Sequence, residues 1–174
     1  MASLARGVVV ADVAAKRAPI EFLECGPVSP GKYLLLFAGG VAEVDEAVRA
    51  GALAAGDSLL DQLYLPQAHA ALLPALRAGA AGRIVPGASV GLVELHTVAA
   101  ALRSADAACK AAQVELQLLH AARGIGGKAW FILRGALPDI EAAVQAATEA
   151  AGAGLLAGAE IIAAPHPDLD DHIL

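Results

Sequence analysis

The sequence has few aromatic residues, and it lacks clusters of basic residues. Phenylalanine, tyrosine and tryptophan make up 3% of the 174 residues, although 57% of the chain is hydrophobic. Much of that fraction is alanine. This composition predicts a core in which helices pack closely on sheets, and it argues against a core built from large aromatic rings. The net charge of −6 argues against a nucleic-acid partner, because phosphate binding needs clustered Lys and Arg.

Long apolar runs and paired cysteines are also missing. The longest apolar runs, such as Tyr33–Phe37, have the length of a strand and fall far short of the roughly 20 residues that span a bilayer. No signal-peptide pattern opens the sequence, so a cytoplasmic location is the default expectation. Cys25 and Cys109 are isolated, which predicts reduced thiols and argues against a disulfide framework or a zinc site.

The chain contains two divergent copies of one unit. ADVAAKRAPIE in the first half matches ADAACKAAQVE in the second, and VAEVDEAVRAGALAAG matches LPDIEAAVQAATEAAG. Gly31-Lys32 corresponds to Gly127-Lys128, and Leu59-Leu60 corresponds to Leu155-Leu156. Because the match runs through helices, loops and strands alike, it predicts two domains of one architecture. We expect a first domain at 1–80, a linker at 81–89 and a second domain at 90–174.

The second copy shows the unit in full. Thr97 is placed to cap a helix over 98–112, and Pro138 suits the first turn of a second helix. Short apolar runs bounded by Gly, Ser or Pro predict the strands, at 90–95, 114–121, 128–135 and 158–165. The order β-α-β-β-α-β predicts an α+β fold of two tandem ferredoxin-like units.

The first copy lacks its first strand. Ser3 corresponds to Thr97, so no residues precede it to match Val90–Leu95. We expect this copy to be incomplete at its N-terminal side because the sequence starts late, since an unpaired strand edge is a liability. Two alternatives stay open, namely a first sheet that is one strand short and an edge that another chain completes.

The stretch CGPVSPGKY resembles the opening of a nucleotide-binding loop. Gly26 and Gly31-Lys32 fit G-x-x-x-x-G-K, but Tyr33 stands where a Ser or Thr must bind Mg²⁺. A phosphate-binding loop also follows a strand and starts a helix, whereas a strand is predicted after Lys32. The matching ARGIGGKAW has lost the first glycine. The pattern therefore predicts glycine- and proline-rich connections between paired strands.

Several of these motifs resemble a known family. ADAACKAAQVEL, GIGGKAWFILRG, DIEAAVQAATEAAG and PHPD are similar to the bacterial microcompartment shell-protein domain. PVSPGKYLLLFAGG and the residues after it resemble the first half of the tandem-domain members. The resemblance implies a structural protein without enzymatic activity or cofactor, forming a homotrimer whose six domains imitate a hexagonal tile. Tiles pack against other shell proteins in the cytoplasm, around enclosed enzymes, with no membrane or nucleic-acid partner.

The resemblance also implies roles for particular residues. The loop after the second strand of each unit would line a central pore for small metabolites, formed by Pro27, Val28, Ser29, Pro30 and Gly31 in the first copy and by Arg123, Gly124, Ile125, Gly126 and Gly127 in the second. Lys32 or Arg123 would favour anionic metabolites. Tile-edge contacts would involve Lys16, Lys110 and His166. Ser29 has a plain alternative, which is to cap a turn without facing a pore.

Two further features, Cys25 and the C-terminal tail, could suggest metal binding, but the sequence argues against a metal at either of them. One subgroup of tandem shell proteins holds an iron–sulfur cluster through a cysteine directly before Pro-Gly-Lys, where this chain has Ser29; Cys25 is the nearest substitute ligand. The tail PHPDLDDHIL contains His and Asp residues in a spacing that matches no closed metal site. We therefore expect no metal. A ligand-sensing regulatory trimer and an iron–sulfur electron carrier in the shell stay as alternative functions.

Overall fold

The computed structural model describes residues 1–78, 88–122 and 124–170. They form two compact units, one made of residues 1–66 with the loop 124–127, and one made of the remaining described residues. The predicted linker at 81–89 lies outside the described residues except for Ala88 and Ser89, and Ser89 already begins a strand. Within the described residues, no helix is long and apolar enough to cross a bilayer.

The second unit contains a four-stranded antiparallel sheet. Its strands are β3 (Ser89–Leu95), β4 (Glu115–Ala121), β5 (Ala129–Gly135) and β6 (Leu156–Ile162), in the spatial order β4-β5-β3-β6. β3 lies between β5 and β6, with Leu95 opposite both Ala129 and Leu156. This is the predicted β-α-β-β-α-β arrangement, and the α+β fold class is confirmed.

Helices α4 (Val98–Ala111) and α5 (Leu137–Ala150) cover one face of this sheet. The Thr97 hydroxyl accepts the Ala100 N–H at 3.1 Å, as predicted for the cap of α4. On α5, Ile140, Ala143 and Ala147 are 0% exposed. The small alanine side chains allow close approach of helix and sheet, which explains a core with few aromatic rings. The unit also contains α3 (Leu72–Ala78), packed on β4, and the short α6 (Pro167–Asp170).

The first unit is smaller and repeats only the middle of this fold. Helix α1 (Leu4–Arg17) packs on the hairpin of β1 (Glu21–Val28) and β2 (Lys32–Ala38), and α2 (Val41–Ala55) packs on α1. A short 3₁₀ turn at Gly56–Ser58 follows α2. The Ser3 hydroxyl accepts the Arg6 N–H at 3.2 Å, so α1 has the same kind of cap as α4. Ala14, Ala18 and Ala47 form the buried centre of this unit.

The first copy lacks its first strand, as the sequence predicts, and it differs from the second copy at its other end as well. The residues after Ser58 that correspond to β6 contain no strand among the described residues. Among the described strands of the second copy, β6 hydrogen-bonds only with β3. The described part of the first copy contains no counterpart of β3, so the segment that corresponds to β6 lacks the strand with which β6 forms its ladder.

Candidate functional site

The first predicted pore loop is a tight connection between β1 and β2. Val28 and Lys32 form the last pair of the hairpin, and Ser29, Pro30 and Gly31 project beyond it as exposed residues. Gly31 has φ 75°, a left-handed conformation that favours glycine. Pro27 is exposed and Val28 is buried in the hairpin. No hydrogen bond of the Ser29 hydroxyl is found among the described residues, so nothing there supports the turn-capping alternative.

The second predicted loop connects β4 to β5 and contains three glycines in left-handed conformations. Gly124, Gly126 and Gly127 have φ angles of 74°, 68° and 81°. Ile125 between them is half-buried, whereas Gly124 and Gly126 are exposed. Arg123 lies outside the described residues. This glycine pattern presents backbone N–H and C=O groups with few side chains around them.

The structure brings the two loops together in the first unit. A Cβ atom built on Gly127 would lie 3.2 Å from the Ser29 carbonyl oxygen and 3.3 Å from Lys32 Nζ. The corresponding glycine of the first loop, Gly31, has no atom within 4 Å of such a Cβ. Glycine is therefore required at position 127 for two reasons: the backbone is left-handed there, and a side chain would crowd the neighbouring loop. Sequence reasoning identified both loops from the shared Gly-Lys but contained no signal for their contact.

The two loop lysines differ in their ion pairs. Lys128 Nζ lies 3.0 Å from Glu94 Oε1 on β3. Lys32 is its counterpart in the first copy. Among the described residues, no strand corresponding to β3 supplies an acid there, and no carboxylate pairs with Lys32. Of the described cations beside the paired glycine loops, Lys32 on the first hairpin is thus without an ion-pair partner.

Cys25 lies on β1 beside β2 and contacts Tyr33. Its sulfur is 3.1 Å from the Tyr33 hydroxyl oxygen. This hydrogen bond, followed by burial, raises the pKa of Tyr33 to about 12. Cys109 is buried on α4, and burial, with the nearby Asp106 charge as the smaller cause, raises the pKa of its thiol to about 11. Among the described residues, no group of three or more His, Cys, Asp or Glu is placed to hold a metal ion.

The two predicted edge lysines occupy matching positions and form matching ion pairs. Lys16 Nζ lies 2.7 Å from Asp12, and Lys110 Nζ lies 2.6 Å from Asp106, each one turn earlier on its helix. The Asp106 side chain is only 8% exposed, and it also accepts the backbone N–H of His69 at 2.7 Å. The prediction named the lysines and missed these carboxylates. The Asp-x-x-x-Lys spacing in both copies is the signal that identifies them.

The third predicted edge residue, His166, follows β6 on the exposed segment that leads into α6. Its Nδ1 accepts the Asp168 N–H at 3.3 Å, and its side chain is 71% exposed. Asp171 and His172 of the tail lie outside the described residues. His166 is thus on the surface of the second unit, where it is free to contact another molecule.

Comparisons with known proteins identify the family. The model of the BMC domain matches residues 1–68 and 89–165. The "Bacterial microcompartment shell protein PduT" of Citrobacter freundii is 38% identical over 170 residues, covering 97% of this chain and 91% of that protein.

Solved structures agree with the sequence match. A microcompartments protein from Desulfitobacterium hafniense DCB has a TM-score of 0.86 at 36% identity, covering 98% of this chain and 94% of that one. A fused permuted hexameric shell protein from the RMM microcompartment has a TM-score of 0.60 at 24% identity, covering 83% and 76% of the two chains. At this identity the second likeness shows the fold alone.

The protein is a tandem-domain shell protein by its fold and repeat. It belongs to the BMC-domain family of bacterial microcompartment shell proteins, and the domain is present twice. The family is structural and its members assemble with other shell proteins. The comparisons lend no support to a ligand-sensing regulator or to an electron carrier.

Proposed function

We propose that the protein forms a homotrimeric, pseudohexagonal tile of a microcompartment shell, with a central pore for small anionic metabolites. The proposal divides the chain into domains at 1–80 and 90–174, so that three chains supply six domains. Two copies of one unit per chain suit a closed three-fold assembly that imitates six-fold symmetry.

The main support for a pore is the contact between the two glycine loops. Ser29 and Gly127 come from corresponding loops of the two copies, and their backbones approach closely. Around a three-fold axis, three such pairs would form a ring of alternating first-copy and second-copy loops. Exposed backbone groups of Ser29, Gly124 and Gly126 would then face a narrow passage, as selectivity rings of backbone carbonyls and amides do.

Charge beside the loops supports a preference for anions. Lys32 has no carboxylate partner among the described residues, whereas Lys128 is neutralised by Glu94. Three copies of Lys32 around one axis would create a positive potential at the passage, which raises the local concentration of anions. This local positive potential would contrast with the net charge of the chain, which is −6.

The edge contacts complete the proposal. Lys16 and Lys110 lie late on corresponding helices, and their Asp partners hold each ammonium group on its own helix surface. We expect Lys16, Lys110 and His166 to contact neighbouring tiles of the same or other shell proteins. The tiles would enclose enzymes in the cytoplasm.

Cross-linking at the loop tip tests the pore. With Cys25 replaced by alanine, Ser29→Cys introduces one exposed thiol per chain at the proposed axis, while Cys109 stays buried. A short bismaleimide should link chains through position 29. Gln145→Cys, exposed on α5, is the matched control and should remain unlinked. Equal linking at both positions, or none at position 29 in an assembled trimer, would overturn the pore assignment.

A further inference from the structure

One side of the first helix is covered in the second copy and open in the first. On α4, buried residues recur every three or four positions along one side of the helix, namely Val98, Leu102, Asp106 and Cys109. The corresponding residues of α1, which we call the α1 stripe, are all exposed, namely Leu4, Val8, Asp12 and Ala15. Val8 is 58% exposed, whereas its counterpart Leu102 is 7% exposed.

The neighbouring strands show the same difference. Leu116 and Leu119 of β4 are 4% and 3% exposed. Their counterparts on β1 are Phe22, which is 41% exposed, and Cys25, which is also exposed. The surface that is left open in the first unit therefore includes residues of both α1 and β1.

The second unit shows what covers this surface. Residues 69–78 end the first copy of the repeat but belong to the second unit. Within them, α3 packs on both α4 and β4, and Leu72 of α3 is 3% exposed. The His69 N–H, which precedes α3, donates to the Asp106 carboxylate in the middle of the buried stripe at 2.7 Å. The end of one copy thus covers the first helix of the next.

The end of the second copy has the same local structure. His166 corresponds to His69, and Leu169 corresponds to Leu72. In each case the histidine Nδ1 accepts the N–H two residues later at 3.3 Å, and the histidine carbonyl oxygen accepts the N–H three residues later. Leu169 is nevertheless 40% exposed. The second copy therefore ends in a covering segment whose leucine is not itself buried by the described residues.

We propose that residues 165–169 of one chain dock on the α1 stripe of a second copy of the chain. The His166 N–H would donate to Asp12 of that copy, and Leu169 would lie against the apolar residues of the stripe. The segment and the stripe are both exposed in the single chain, so a chain does not cover its own stripe with its own segment. The inference rests on the self-association that the proposed function requires, but not on the pore.

This contact is compatible with the proposed tile. It joins two different surfaces, so every chain offers one segment and one stripe, and head-to-tail contacts of this kind can close into rings. In the covered second copy, the Lys110 side chain stays 45% exposed although Asp106 is 8% exposed. Lys16 would likewise stay accessible for the proposed contact between tiles.

A charge placed in the stripe tests its burial between chains. Val8→Asp should weaken association of the chains at least about a hundredfold, because its carboxylate would be buried without a partner. Val9→Asp is the matched control, since Val9 is 47% exposed and lies outside the stripe, and it should leave association unchanged. Equal association of the two variants, measured by light scattering over a dilution series, would contradict the proposed contact.

Cross-linking between two kinds of chain identifies the segment that covers the stripe. One chain carries Asp12→Cys and the other carries His166→Cys, both with Cys25→Ala, while Cys109 stays buried. The two chains are produced together, so that mixed assemblies form. A short bismaleimide should link one kind of chain to the other, because the corresponding His69 N–H and Asp106 are in hydrogen-bond contact.

Two controls make the linking specific. Either variant produced alone should give no linked chains, since each then has only one half of the contact. Arg49→Cys in place of Asp12→Cys puts the thiol on α2, at a side chain that is 78% exposed, and should also give none. Associated chains without a link between positions 12 and 166, or with equal linking from position 49, would overturn this inference and leave the proposed tile standing. A chain that stays monomeric would overturn both.

Discussion

Gly7 on α1 and the ring of Tyr33 on β2 fit together only because Gly7 has no side chain. A Cβ atom built on Gly7 would lie 2.2 Å from Tyr33 Cγ. At the corresponding positions of the second copy, Ala101 and Ala129 are both 0% exposed. The two copies thus fill the same space with different pairs, glycine with tyrosine in one and alanine with alanine in the other.

This pairing predicts a strong coupling between the two positions. Gly7→Ala alone should destabilise the protein by about 1–3 kcal/mol through overpacking, and Tyr33→Ala alone by about 3–5 kcal/mol through the cavity that it leaves. The double variant reproduces the pair of the second copy, so it should cost less than the sum of the two single changes. Denaturant titration measures all four free energies of unfolding. Strict additivity would show that the two side chains do not share this space.

The contact between Cys25 and Tyr33 predicts a pH effect. The hydrogen bond raises the pKa of Tyr33 from 10.0 to about 12, so the folded state favours the protonated phenol. Its contribution to stability is complete below pH 10.0 and is lost as the pH rises through about 12.

Cys25→Ala removes the largest cause of this shift and should lower the pKa of Tyr33. A Tyr64→Phe background leaves Tyr33 as the only tyrosine, so ultraviolet absorbance of tyrosinate follows this residue alone. A pKa that does not move after the cysteine is removed would contradict the assigned hydrogen bond.

The loop contact predicts different costs for two glycine substitutions. Gly124→Ala forces alanine into a left-handed conformation but meets no atom within 4 Å, so it should cost about 1–2 kcal/mol. Gly127→Ala imposes a similar conformational cost and also crowds the Ser29 carbonyl oxygen and Lys32. Gly127→Ala should therefore destabilise the first unit more, as measured by unfolding and by hydrogen exchange near Lys32. Equal effects of the two substitutions would indicate that the loops are not in contact.

The proposed edge role of Lys16 and Lys110 predicts an effect on the assembly of tiles but not on the proposed trimer. Lys16→Ala combined with Lys110→Ala removes an exposed ion pair with Asp12, which contributes little to folding. It also removes an ion pair with Asp106, whose largely buried carboxylate keeps its hydrogen bond from the His69 N–H. We expect the trimer to persist and the formation of sheets or shells to weaken, as seen by electron microscopy. Arg49→Ala is the matched control, because it removes an i,i+4 pair with Asp45 on another helix. Normal sheets from the double variant would argue against the edge role.

The sequence predicted the elements whose signals are local. The Thr97 cap and the buried stripe of α5 follow from hydrogen-bonding side chains and helical periodicity, and both are present. Other features depend on neighbours that no local pattern describes. The segment after Ser58 resembles β6 in sequence but pairs with no strand in the part of the chain that the structure describes. Asp106 acquires its second hydrogen bond from His69, which is far away in the chain. The approach of Gly127 to Ser29 is likewise a long-range contact between loops.

Imaging of the assembled protein by cryo-electron microscopy determines whether it forms a three-fold tile. We expect three chains around a three-fold axis, six domains in a hexagonal outline, and the loops of Ser29 and of Gly124 to Gly127 at the axis. An assembly whose number of chains is not a multiple of three, or one with these loops on its perimeter, would contradict it.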